Sequence, residues 1–172
     1  MKKDLRPIIS PEEIHLIVSR LAGEIRRDCA SKKPVLIGTL NGAFIFMADL
    51  VRALDMPLEA DFIQASCYSG CDTPSPVVSI IKDITTDIKG RDVVVVEDII
   101  DRGNTAGAVI GHLKAKGPAS LRLCSLLVRE TGGAMRPAID YAGMRIGAGF
   151  VAGYGMDYKG LYRELKGIHI VE

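Results

Sequence analysis

Between Ser10 and Asp28 the apolar residues Ile14, Ile17, Val18, Leu21 and Ile25 recur every three or four positions, the pattern of a helix with one buried face. Ser10 and Glu13 stand at the spacing of a capping box, and Pro11 occupies the first helical position. The pattern then changes. PVLIGTL is a short apolar run that reads as a buried strand, and Asn41-Gly42 turns it into AFIFMADLVRAL, a second helix. LEADFIQAS reads as a strand, CYSGCDTPSP as a loop without periodicity, and VVSIIKDI as a further strand. Lys89-Gly90 turns into DVVVVED, and a helix from Thr105 to Lys116 follows with Ala106, Val109, Ile110 and Leu113 facing inward. LRLCSLLV is a strand, RETGGAMRP a loop, and short strands are expected around Tyr141, Phe150 and Ile168. Strands alternating with helices predict an α/β fold with a doubly wound, mostly parallel sheet flanked by helices. No linker or repeat interrupts the chain, so residues 1–172 are expected to form one domain.

Composition narrows the function classes. With 48% hydrophobic and 25% charged residues in 172, the chain can bury a substantial core. A net charge of +1 offers no general field for nucleic acid or an anionic membrane, so neither is expected as a partner. MKKDLRPIIS has no apolar stretch behind its lysines, and no run reaches membrane-spanning length, which makes the cytoplasm the expected setting. The four cysteines lack a zinc-site spacing and read as reduced, incidental thiols; the three histidines are scattered and read as surface or packing residues.

The chemistry concentrates in VVVVEDIIDRGNTAGAVI, residues 93–110, where four valines run directly into Glu97, Asp98 and Asp101. Three carboxylates at a strand end repel one another, so a compensating reason is required. In doubly wound sheets, ligands bind at the carboxyl ends of strands, beside helix N-termini whose N–H groups point outward. Gly103 permits close approach of the backbone to a ligand, and Asn104 and Thr105 add donors: a phosphate cradle. The carboxylates would repel a phosphate, but they can accept hydrogen bonds from vicinal hydroxyls or hold a hard cation. A ligand with a phosphate at one end and a sugar diol beside it satisfies both halves; a solvated acidic loop is the alternative.

VVVVEDIIDRGNT closely resembles the phosphoribosyl-pyrophosphate motif of type I phosphoribosyltransferases, in the ED-I-I-D-x-G-x-T form of the hypoxanthine-guanine phosphoribosyltransferases. GTLNGAFIFMADL is similar to that family's pyrophosphate loop and following helix, IIKDITTDIKGRDV to its approach to the motif, and FVAGYGMDYKGLYREL to its C-terminal purine and metal segment. The resemblance runs from about Val35 to the C-terminus. It implies a small hood built from the chain ends, and Mg²⁺-dependent transfer of the phosphoribosyl group to a 6-oxopurine. It further implies that Glu97 and Asp98 bind the ribose hydroxyls and Mg²⁺, that Asp101 moves a proton at N7 of the purine, and that Asp101, Arg102, Gly103, Asn104 and Thr105 cradle the 5′-phosphate. Leu40, Asn41, Gly42 and Arg163 would meet the pyrophosphate. Phe150 would stack on the purine, Val151 would read its edge, Arg129 would donate to its exocyclic oxygen, and Asp157 would position a second Mg²⁺. Cys67 and Tyr68 would open a flap running to Pro76 that closes over the site. A homodimer or homotetramer is the implied assembly.

Three positions depart from the family pattern. Asn41 stands where the family usually has Lys, which implies weaker pyrophosphate affinity; Cys67-Tyr68 replaces Ser-Tyr; and Arg129 replaces the Lys that follows the LL strand end. Arginine donates the same bond but is longer and forked, so the choice among hypoxanthine, guanine and xanthine stays open while adenine is disfavoured. GAGFVA at residues 147–152 formally matches a dinucleotide fingerprint, but no helix is expected after it. The absence of any Gly-Lys pair excludes a nucleotide-binding P-loop, and the acidic residues lie too far along the chain for a phosphoacceptor receiver domain. A second function class stays open: a non-catalytic regulator that senses phosphoribosyl pyrophosphate on the same fold, although the chain shows no added DNA-binding domain and no net basic charge.

Overall fold

The computed structural model describes residues 4–29, 32–68, 77–130 and 137–172. The expected helix at Ser10 is α1, Pro11–Cys29, and its capping box is formed: Ser10 N donates to Glu13 Oε2 at 2.8 Å and Glu13 N to Ser10 Oγ at 3.2 Å. One element precedes it that the hydrophobic pattern does not announce, the strand β1, Leu5–Ile9. Its LRPII sequence carries a proline, which periodicity reads against a strand but which an edge strand tolerates.

The strands β2 (Val35–Leu40), β3 (Glu59–Tyr68), β4 (Val77–Lys82), β5 (Asp92–Ile100), β6 (Ser120–Arg129) and β7 (Tyr141–Ile146) form a sheet in the order β4-β3-β2-β5-β6-β7. All neighbouring pairs are parallel except β3 with β4, which pair antiparallel at one edge. The helices α2 (Phe44–Leu54) and α3 (Asn104–Lys114) complete the winding. Val94 and Val96 join the core beneath α1 and α2, whereas Val93 and Val95 join the core beneath α3. A strand covered on both faces needs apolar residues at every position, which explains the unbroken valine run. Helix α1 is fastened at its middle and near its C-terminus. Arg26 donates to the carbonyls of Ala53 and Leu54 at the C-terminus of α2, and Arg20 donates to those of Ala142 and Gly143 on β7.

A second sheet joins the two ends of the chain as β1-β9-β8, with β8 at Phe150–Ala152 and β9 at Ile168–Val171. This is the expected hood. Ile9, Val151 and Ile168 bury against the α1–α2 core and hold β8 over the carboxyl end of the large sheet. The GAGFVA segment enters β8 and is followed by turns rather than a helix, as a dinucleotide site would not be.

Candidate active site

Three backbone features converge at the carboxyl ends of β2 and β5. After β2 the Leu40–Asn41 peptide is cis, and the chain turns through Gly42 into α2. A Cβ on Gly42 would lie 1.8 Å from Asp98 Oδ2, so only glycine lets this turn rest against the acidic strand end. After β5, Gly103 takes φ 82° as the residue before α3. No side chain caps α3 and no acidic residue lies in its first turn, so its N–H groups and partial positive charge are open to an anion. The third feature is the hairpin after β8, where Tyr154 N donates to Leu165 O at 2.7 Å and Gly155 N to Arg163 O at 3.0 Å. The Tyr154 hydroxyl donates to Asp49 Oδ2 on α2 at 2.6 Å and anchors that hairpin beside the Gly42 turn.

Beside them lies a cavity of about 310 Å³ lined by Asn41, Gly42, Asp98, Asp101, Arg129, Phe150, Val151, Asp157 and Arg163, with Ile99 and Met156 completing the wall. Nine candidate residues from four separate stretches therefore meet in one place. Ile99 and Met156 carry no polar signal and were not singled out from sequence; their position between or beside the acidic residues is the one hint. Leu40 and Glu97 do not line this cavity, while Arg102, Gly103, Asn104 and Thr105 lie at the start of α3, directly after Asp101. Cys67 and Tyr68 are the last two residues of β3, and the rest of the proposed flap, 69–76, lies outside the described residues.

The charged groups are held in a defined order. Arg163 Nη1 donates to Gly155 O at 2.6 Å and its Nη2 lies 2.7 Å from Asp157 Oδ1. The other Asp157 oxygen accepts from Gly160 N at 2.7 Å. Arg129, on the last residue of β6, is mostly buried; its Nη1 donates to Gly147 O at 2.7 Å and its Nε lies 3.2 Å from Asp101 Oδ1, which faces solvent. Phe150 is 54% exposed, its ring edge-on to Tyr158 with centroids 5.2 Å apart, and leaves a face for a flat ligand.

Glu97 and Asp98 differ although adjacent. Successive strand residues point to opposite sides, so Asp98 enters the cavity while Glu97 turns away from it. Burial, and then the neighbouring charge of Asp98, raise the Glu97 carboxyl to about 8. The Thr39 hydroxyl offsets this in part, yet among the described residues neither Thr39 Oγ1 nor Glu97 Oε1 has a partner at hydrogen-bond geometry. Burial likewise raises Asp98, to about 6, against the lowering effect of the Ile99 and Asp98 backbone N–H groups and of Arg163. No group of three or more His, Cys, Asp or Glu side chains forms a metal cage among the described residues. Asp98 and Asp157 nonetheless line one cavity, and paired carboxylates of that kind suit a Mg²⁺ that keeps waters and shares its coordination with ligand phosphates.

A phosphoribosyl transferase domain model matches residues 10–159. The chain belongs to the phosphoribosyltransferase family. Within it, the chain falls in the hypoxanthine-guanine branch. It is 38% identical to the hypoxanthine-guanine phosphoribosyltransferase of Streptococcus pneumoniae, over 100% of this chain and 96% of that protein. It is 39% identical to the hypoxanthine phosphoribosyltransferase of Salmonella typhimurium, over 96% and 94%. The crystal structure of a hypoxanthine-guanine phosphoribosyltransferase from Bacillus anthracis, with a HEPES molecule in its active site, superposes with a TM-score of 0.94 at 35% identity, covering 99% of this chain and 100% of that one. The phosphoribosyltransferase fold expected from the motif is therefore the fold observed.

Proposed function

We propose that this phosphoribosyltransferase acts in purine salvage, moving the 5-phosphoribosyl group from phosphoribosyl pyrophosphate to a 6-oxopurine and releasing pyrophosphate. The observation that carries the reading is the convergence of Asp98, Asp101, Arg129, Phe150, Asp157 and Arg163 on one cavity beside the uncapped start of α3.

In this reading the N–H groups from Arg102 to Thr105 receive the 5′-phosphate, and the Leu40–Gly42 turn with Arg163 receives the pyrophosphate. As the bond from C1 of the ribose to the pyrophosphate oxygen breaks, that oxygen leaves with the electron pair and negative charge grows where Arg163 and the turn can stabilise it. Glu97 and Asp98 serve the ribose hydroxyls. Phe150 supplies a stacking face, the Val151 backbone meets the edge of the base, and Arg129 donates to its exocyclic oxygen, so the purine nitrogen is held in line with C1. Asp101 exchanges a proton with N7, and its contact with Arg129 supports a fixed geometry for that exchange. Asp98, Asp157 and Glu97 are the proposed carboxylates toward Mg²⁺, which when bound would add positive charge against the leaving group. Cys67 and Tyr68 begin the proposed flap. The proposed assembly is a homodimer or homotetramer, as the family resemblance implies. The proposed setting is the cytoplasm, supported by the free, buried thiols of Cys29 and Cys124.

The test is an activity assay with Mg²⁺, phosphoribosyl pyrophosphate and, separately, hypoxanthine, guanine, xanthine and adenine. Nucleotide formation from a 6-oxopurine is expected, with kcat reduced about 100-fold or more in Asp101→Asn at unchanged melting temperature. Binding of phosphoribosyl pyrophosphate without conversion of any base would replace the enzyme with a sensor, a reading that nothing in the fold or its named relatives favours.

A further inference from the structure

Among the described residues, three polar side chains are buried as deeply as the core: Thr39, Glu97 and Ser125. The Ser125 hydroxyl donates to Leu127 O at 2.7 Å and is satisfied. The other two are not. Thr39, at 6% exposure, and Glu97, at 5%, each hold a buried oxygen without a partner, Oγ1 and Oε1. Folded proteins retain such groups rarely, and where they do a ligand or a rearrangement commonly completes them.

These two oxygens belong to neighbouring positions. Strands β2 and β5 are parallel with Gly38 opposite Val96, so one further step brings Thr39 beside Glu97. Both continue the side of the sheet that carries Ile37 and Val95 toward α3. The Thr39 hydroxyl already acts on the Glu97 carboxyl, offsetting part of the upward pull of burial, although the two oxygens do not meet the geometry of a formed hydrogen bond. Meanwhile the Thr39 carbonyl accepts from Ala43 N at 3.2 Å and closes the turn that leads into α2. One residue therefore joins two parts of the site. Its backbone belongs to the Leu40–Gly42 turn, and its side chain belongs to the acidic strand end.

We infer that Thr39 is a positioning residue for the sugar: when the ribose diol arrives, its hydroxyl donates to Glu97 Oε1 and aims the carboxylate, linking diol recognition to the pyrophosphate turn. The inference rests on the reading above in which Glu97 serves the ribose. The movement invoked is a rotation about the Thr39 Cα–Cβ bond, since a threonine hydroxyl is both donor and acceptor and has more than one staggered position. Its consequence is discrimination: a ribose should be preferred over a 2-deoxyribose through a residue that touches neither.

The experiment titrates inosine 5′-monophosphate and its 2′-deoxy counterpart, by calorimetry, into the full chain and its Thr39→Val and Thr39→Ser variants, alongside steady-state kinetics. Wild type should bind the ribonucleotide more tightly. Thr39→Val should weaken the ribonucleotide about tenfold, the effect of losing one hydrogen bond to a charged group, and leave the 2′-deoxy nucleotide unchanged. Thr39→Ser should restore the difference. KM for phosphoribosyl pyrophosphate should rise about tenfold in the valine variant, with kcat changed by no more than about twofold. Valine has nearly the same shape and removes an unpartnered hydroxyl, so its melting temperature should be no lower. Equal weakening of both nucleotides, or no rescue by serine, would make Thr39 merely structural and overturn the inference. Equal wild-type affinity for the two nucleotides would overturn it by removing the Glu97–ribose link while leaving the nucleotide site standing. Binding of neither nucleotide would instead remove the proposed function itself.

Discussion

Asp61 on β3 and Glu97 on β5 lie on strands of one sheet, separated only by β2. Burial pushes both carboxyls upward, and the outcomes are opposite. Asp61 accepts from the backbone N–H groups of Phe62, Thr85 and Thr86 at 2.7–2.9 Å and from the Thr85 hydroxyl at 3.2 Å. Those donors outweigh burial and hold it well below the usual carboxylate range. Glu97 has a buried oxygen with no donor and an acidic neighbour, so burial prevails and the carboxyl rises to about 8. A carboxylate whose acceptors are filled ties loops together and has nothing left to offer a ligand. One with a buried acceptor left empty costs stability until a ligand or a cation arrives. The same residue type serves structure in one case and is held in reserve in the other.

The largest effect expected from this contrast is in Glu97→Gln. Because the folded value lies above the ordinary 4.5, ionisation opposes folding: the cost is absent below about pH 4.5, grows as pH rises, and is complete above about 8. The variant should therefore exceed wild type in stability by about 5 kcal/mol near pH 8.5 and by little near pH 4.5, as read by urea unfolding. A gain that does not vary with pH would end the comparison. Next in size is the response to ligand. Mg²⁺ with phosphoribosyl pyrophosphate at about a hundredfold over Kd should add about 2.7 kcal/mol, far more than either alone. That stabilisation should increase between pH 6 and pH 8, since Asp98 at about 6 and Glu97 at about 8 must lose protons to serve the ligand. A flat pH response in calorimetric binding would mean that the two carboxyls are not engaged. The smallest is Asp61→Asn, expected to lose about 2 kcal/mol at pH 7 with kcat unchanged. Its folded value is depressed, so its contribution is present above the ordinary 3.8 and disappears as pH falls through the lower folded value. Loss of activity in folded Asp61→Asn would erase the distinction between the two carboxylates.

Much of the site was legible in the chain because its carriers are short contiguous motifs. Asp98, Asp101, Asp157 and Arg163 lie within two such stretches, and all four line the cavity. Adjacency in sequence groups Glu97 with Asp98, although alternation along a strand implies that they face different ways. The acceptor environment that separates Glu97 from Asp61 could not be read from sequence, since Asp61's donors come from Thr85 and Thr86, far along the chain. Thr39 is hidden from sequence for the same reason. A threonine ending an apolar strand is unremarkable until β2 and β5 are placed side by side.

What the sequence determined alone is local: the capped helix at Pro11, the unbroken valine run of β5, and the glycine turns at Gly42 and Gly103. Each follows from capping, periodicity or backbone freedom, which act over a few residues. The tertiary structure decided the direction of β4 at the sheet edge, the pairing of β1 with β9 across the whole chain, and the union of the Gly42 turn, the acidic strand end and the Arg163 hairpin around one cavity. Those depend on contacts between residues distant in sequence, whose partners no local pattern specifies.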